Sequence, residues 1–229
     1  MEPTPHMTSA QPRRWQPYVI IVAAVLLIYA QSLRFGFVNY DDDELVYRNA
    51  SFLADWSNTG KAFTTHAFAS AGGESVYYRP VLLASYIADY HIWGLRPFGY
   101  HLTNVTLHAL VALLVYLLAL HLASTELTAI ATALIFALHP VQTESVAWIA
   151  GRNDLLLGLF VTLSALFALH AVHTPDRERR FLLLSTVAFA IALFTKETAA
   201  FYLPLLPLAD LLARGGARRE LSASLKRFL

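Results

Sequence analysis

No cysteine occurs in the chain. That excludes a disulfide framework and a thiolate metal site, and leaves the redox compartment undetermined. Charge is also scarce, at 14% of the 229 residues against 56% hydrophobic. A single soluble core could not hide that much apolar surface, so the composition is that of an integral membrane protein. The net charge of +1 leaves no basic surplus for a nucleic-acid partner, since the basic residues are accounted for by membrane topology. No internal repeat or low-complexity tract is present.

What the chain does have is a series of runs without Asp, Glu, Lys or Arg: Trp15 to Leu33, Pro97 to Thr125, Leu127 to Thr143, Leu155 to Pro175, Phe181 to Thr195 and Thr198 to Ala209. A bilayer span takes about 20 mainly apolar residues. The first, second and fourth runs qualify outright, the third is close and the last two are short. One helix over Phe181 to Ala213 would place Lys196 and Glu197 at mid-bilayer and carry Pro204 and Pro207, so two tilted helices with that pair near their outer ends are expected. The first run lacks a good cleavage site around Ala30-Gln31 and reads as a retained anchor. The expected fold is all-α, a polytopic bundle of about six transmembrane helices.

Basic residues set the orientation. Six spans put both termini in the cytoplasm, together with Arg13, Arg14, Arg177, Arg179, Arg180, Arg214, Arg218, Arg219, Lys226 and Arg227, ten of the 17 basic residues. The domain plan is a cytoplasmic tail over 1–14, a transmembrane domain over 15–213 with its first outer loop at 34–96, and a basic cytoplasmic segment over 214–229. The membrane is expected to be a bacterial inner membrane, with the endoplasmic reticulum as the alternative that has the same physics.

An outer loop as long as 34–96 needs structure of its own. Pro80 suits a first turn, apolar residues recur at Leu82, Leu83, Tyr86, Ile87 and Tyr90, and Gly94 is placed as a stop. This predicts an amphipathic helix from Pro80 to Trp93 lying along the interface. Ser70 to Ser75 is the expected flexible point. Ser124 is the expected start of the third span, which ends near Leu138 because His139 precedes Pro140 and is pushed out of helical geometry. A helix from Pro140 would carry Glu144, Trp148 and Arg152 on one face.

Polar groups thus converge on the outer surface from distant segments: the acidic string Asp41, Asp42, Asp43 and Glu44; Arg79; Glu144, Arg152 and Asp154; and Lys196 with Glu197. Joining an anionic lipid-linked group to a hydroxyl needs a carboxylate to take the proton and cations to hold the leaving phosphate. Arg79, Arg152 and Lys196 are the available cations, and an arginine can grip phosphate with two parallel bonds. The plainer readings are a solvated acidic loop, a headgroup anchor at Arg79, an ion pair between Glu144 and Arg152, and mutual pairing of Lys196 with Glu197. His101, His108, His121, His170 and His173 show no ligand-like cluster, so no divalent metal is expected.

Phe37-Val38-Asn39-Tyr40-Asp41-Asp42, Tyr77-Tyr78-Arg79-Pro80, Pro97 to Asn104, His139 to Asp154 and Thr195-Lys196-Glu197-Thr198 together resemble the GT-C superfamily of polytopic glycosyltransferases. The branch they are most similar to contains the transmembrane and tetratricopeptide-repeat O-mannosyltransferases and their bacterial relatives. The resemblance runs collinearly from about Phe35 to Ala213, the N-terminal part of such a protein, since relatives have further spans. It implies transfer of a sugar, mannose among the possibilities, from a polyprenyl-phosphate carrier to an acceptor hydroxyl of a protein or glycan on the non-cytoplasmic face, without nucleotide or firm cofactor. By the same resemblance Asp41 and Asp42 are catalytic, Arg79, Arg152 and Lys196 face the carrier phosphate, and Asp43, Tyr78, His101, His139, Glu144, Asp154 and Glu197 line the donor or acceptor pocket. The alternatives are an ion- or solute-conducting transporter and an inactive scaffold fragment of the same fold.

Overall fold

The computed structural model describes residues 15–68, 77–122 and 125–204, and all regular structure among them is helical. Helix α1 (Gln16–Tyr29) carries Pro17 in its first turn, where a missing N–H costs nothing, and runs on as a 3-10 turn over Ala30–Arg34. Its residues Ile21, Val25 and Tyr29, spaced by four, form the buried stripe, while Leu27 on another face is 82% exposed. An outward apolar side chain of this kind suits lipid rather than water.

Helix α5 (Pro97–Leu122) is the centre of the bundle, in contact with α1, α6 (Glu126–Leu138) and α8 (Arg152–His173); α9 (Glu178–Leu193) lies along α8. Lipid gives no hydrophobic drive for helix association, so close approach and interhelical hydrogen bonds must supply it. Ala129, Ala133 and Ala137 provide the first on α6, all fully buried. Ser164 and Ser185 provide the second, each hydroxyl donating to the other's backbone carbonyl at 2.9 Å between α8 and α9.

The all-helical membrane bundle is as expected, but the spans differ in length. Among the described residues, three stretches are long and apolar enough to cross a bilayer: Gln16–Arg34, Pro97–Leu122 and Ile149–His173. At a rise of about 1.5 Å per residue, the 13 residues of α6 and the 16 of α9 reach only about 20 and 24 Å. Helix α6 is capped by Thr125, whose hydroxyl accepts from the Thr128 N–H, while Ser124 lies outside the described residues. It stops at His139, which is extended before Pro140 as the steric rule requires. Of the sixth expected span only a 3-10 segment, Glu197–Tyr202, and the turn to Pro204 are described.

Because the long helices alternate in direction, residues 34–68, 77–96, 139–151 and 194–204 meet at one end. There the first loop folds into a layer: a π-helical turn over Asp43–Tyr47, then α2 (Ala50–Leu53), α3 (Asn58–Lys61) and α4 (Pro80–Trp93). Gly94, at φ 58°, ends α4 as expected. The apolar stripe of α4 does not lie on lipid, however. Leu82, Tyr86 and Ile87 pack with Leu45, Val46 and Leu53 of the loop and with Tyr100, Ile149 and Ala150 beneath it. The interfacial helix is therefore the core of a cap over the bundle end. Ser70 to Ser75 fall outside the described residues.

Candidate functional site

The site is built on a turn that was expected to be part of a helix. Helix α7 (Gln142–Ala147) stops at Trp148, which is extended; a 3-10 turn follows over Ile149–Gly151, and α8 starts at Arg152. Glu144, Trp148 and Arg152 therefore do not share a helical face: Glu144 is exposed and Arg152 fully buried. The break is held by side chains from three elements. Asn104 donates to the Trp148 carbonyl at 3.0 Å, the Tyr86 hydroxyl to the Ile149 carbonyl at 3.0 Å, and the Ala150 N–H donates to the Asp42 carboxylate at 2.9 Å. Gly151 is required by crowding, since a Cβ there would lie 2.7 Å from the Glu144 carbonyl oxygen.

Asp42 is 0% exposed, and its second oxygen accepts from the Val38 N–H at 3.1 Å. Burial pushes its carboxyl up, although the two backbone bonds oppose the shift. The side chain has no solvent face from which to meet a substrate, so its place is inside the scaffold, beneath the loop that carries Asp41.

Asp41, one residue earlier, is only partly buried. Desolvation raises its carboxyl above the ordinary range, the Glu44 charge adds to that, and the Arg79 charge opposes it. Asp43 turns aside into an ion pair with Arg48 at 2.6 Å across the π-helical turn. Of the acidic string, Asp41 is thus the aspartate left facing the open side with a cation in electrostatic reach.

The three expected cations separate into two kinds. Arg152 is fully buried: it pairs with Asp89 at 2.5 Å, donates to Asn104 at 2.8 Å and to the Tyr100 carbonyl at 3.0 Å, and lies 4.6 Å over the Tyr86 ring. A desolvated charge needs such a full set of partners. That leaves no guanidinium edge for a lipid phosphate, and its partner is Asp89 rather than Glu144. Arg79 and Lys196, by contrast, stand at the rim. Arg79 meets Glu197 at 3.0 Å and covers the Tyr77 ring at 4.5 Å; Lys196 meets Asp154 at 2.5 Å. Lys196 and Glu197 do not pair with each other, because the backbone is extended at Lys196 and sends successive side chains opposite ways.

Beside this rim opens a cavity of about 270 Å³. Its mouth is polar, with Gln142, Ser145, Asp154 and Tyr202, and its depth is apolar, with Val111, Phe136, Leu157 and Val161 from α5, α6 and α8. Tyr78 is exposed and donates to the Phe63 carbonyl at 2.7 Å. His139 is exposed, with Nδ1 accepting from the Val141 N–H. His101 is buried, edge-on to Phe35 at 6.1 Å. The structure therefore brings Asp41, Arg79, Asp154, Lys196 and Glu197 to one rim, and puts Asp42, Arg152 and His101 into its foundation. Asp89 and Asn104 were missed; Asn104 stands in the motif Pro97 to Asn104, which was the available signal. Among the described residues no group of three or more His, Asp or Glu is placed to hold a metal ion.

A family model described as dolichyl-phosphate-mannose-protein mannosyltransferase matches residues 80–228, well over half of the chain. The chain belongs to that family. Among its relatives, the protein O-mannosyl-transferase Tmtc1 of Drosophila melanogaster is 33% identical over 199 residues, covering 85% of this chain and 22% of the fly protein. The human protein O-mannosyl-transferase TMTC4 is 28% identical over 240 residues, covering 91% and 31%. The protein O-mannosyl-transferase tmtc2 of Xenopus laevis is 34% identical over 143 residues, covering 62% and 17%. The chain thus spans less than a third of each of these relatives' length. No solved structure matches it. The mannosyltransferase match opens at Pro80, so it takes in α4, the 148–151 turn and the Lys196–Glu197 rim.

Proposed function

We propose that this mannosyltransferase-family chain forms the sugar-transfer rim of a membrane glycosyltransferase that moves mannose from a polyprenyl-phosphate carrier to a protein hydroxyl. Asp41 takes the proton of the attacking hydroxyl, and the new bond forms at the anomeric carbon as the bond to the phosphate oxygen breaks. Polyprenyl phosphate leaves against Arg79 and Lys196, whose charges match the charge that develops on it. Direct displacement of this kind inverts the anomeric carbon. The apolar depth of the cavity suits the first isoprene units of the carrier. By the topology read from the sequence, which assigns ten of the 17 basic residues to the cytoplasmic segments, the rim faces away from the cytoplasm, in a bacterial inner membrane or the endoplasmic reticulum.

The observation that carries this reading is the placement of Asp41, partly buried and within charge reach of Arg79, at the rim where Arg79 and Lys196 stand; desolvation there lifts its carboxyl. A proton acceptor works best when its own affinity for protons is lifted toward the working pH. The test is to reconstitute the chain in lipid and supply labelled polyprenyl-phosphate mannose with a Ser/Thr peptide. Transfer that disappears in Asp41→Asn supports the proposal. Full transfer by Asp41→Asn, or solute flux without any transfer, refutes it.

A further inference from the structure

Both rim cations are already engaged by carboxylates. Glu197 sits on Arg79 at 3.0 Å and Asp154 on Lys196 at 2.5 Å. These pairs fasten residues 196–197 across the rim, to the start of α4 on one side and the start of α8 on the other. The fastened segment begins where the Phe194 carbonyl accepts from the Val81 N–H and continues to Tyr202, which lines the cavity mouth with Asp154. The exposures within each pair are unequal. The Glu197 and Asp154 side chains are 53% and 43% exposed, against 13% and 20% for Arg79 and Lys196. In the buried pair Asp89–Arg152 both partners are sealed in, at 7% and 0%. At the rim the cations are therefore seated and the acids can turn into solvent.

Carboxylate and phosphate oxygens compete for the same donors of Arg and Lys; the donor's phosphodiester matches a carboxylate in charge, and the phosphate monoester that leaves carries more. We propose that Glu197 and Asp154 hold the place of the donor's phosphate, so that its arrival displaces them and unfastens the 196–202 segment from the cavity mouth. This rests on the donor reading above and assigns to the two acids a role in setting donor affinity. A purely structural pair predicts the opposite sign: without its acid, the cation would wander and hold phosphate less well.

The experiment measures binding of polyprenyl phosphate, without sugar, to the purified chain in detergent by native mass spectrometry. Glu197→Gln and Asp154→Asn are each expected to bind about two- to fivefold more tightly than the parent, the worth of an exposed ion pair, and Arg79→Gln to bind more weakly. Amide exchange at residues 197–202 is expected to rise in the parent chain when polyprenyl phosphate is added. Unchanged or weaker binding by both acid variants overturns the inference while leaving the donor reading intact, provided the parent binds and transfers. If the parent binds no polyprenyl phosphate, the donor reading itself fails. Should one variant not fold, the other and the exchange measurement decide.

Discussion

The carboxylate of Asp42 accepts a hydrogen bond at 2.9 Å from the backbone N–H of Ala150, 108 positions further along the chain. Its other oxygen takes the Val38 N–H. One buried side chain thus pins the first loop, and with it Asp41, onto the turn that opens α8.

Asp42→Ala leaves two backbone N–H groups without their acceptor, and an unsatisfied buried donor costs about 1–3 kcal/mol. The expected result is a lower unfolding temperature in detergent and loss of transfer together. Asp41→Asn, on the open side, is expected to keep the parent's unfolding temperature and lose transfer by about 10²- to 10⁴-fold. Equal loss of stability in the two variants would contradict the division of roles between the neighbours.

The pH profile supplies a second check with opposite signs. A proton acceptor works only when deprotonated, so raising the Asp41 carboxyl moves the acid limb of kcat/KM above the ordinary carboxylate range. Arg79 lowers that carboxyl, so Arg79→Gln is expected to move the limb to higher pH. Glu44 raises it, so Glu44→Gln is expected to move the limb to lower pH. Profiles that do not move, or that move the same way, would exclude Asp41 as the group being titrated.

Arg152 is expected to behave as foundation. Removing one partner of a buried pair costs about 3–5 kcal/mol, so Arg152→Met should unfold the cap, and Arg152→Met combined with Asp89→Leu should recover most of the loss. Lys196→Gln should leave thermal unfolding nearly unchanged and weaken binding of the lipid phosphate. A stable Arg152→Met chain with only a binding defect would return Arg152 to the substrate.

Gly151→Ala forces a methyl group to within 2.7 Å of the Glu144 carbonyl and 2.9 Å of the Ser145 Cα. Backbone atoms cannot step aside as a side-chain tip can, and overpacking of this kind costs about 1–3 kcal/mol. Lower stability and lower kcat are expected together, measured by thermal unfolding and by transfer at saturating donor.

The helix from Pro80 to Trp93 was legible because its start, stripe and stop at Gly94 are all local signals. So was the end of α6 at His139, where the residue before proline is barred from helical geometry. The break at Trp148 was not legible, since spacing by four mimics a continuous helix and the break is imposed by Asn104, Tyr86 and Asp42 from elsewhere in the chain. The burial of Arg152 was hidden for the same reason: its partner Asp89 lies on a helix that read as interfacial.

The order in which the rim's ties become possible follows the order of synthesis. Asp42 can find the Ala150 N–H as soon as the segment before α8 has been made, whereas Arg79 must wait for Glu197, 118 positions after it. While α8 and α9 are being made, the Asp42 partner is already present and the Arg79 partner is not. Sequence order alone therefore lets the Asp42 tie form before the Arg79 edge can be closed by Glu197.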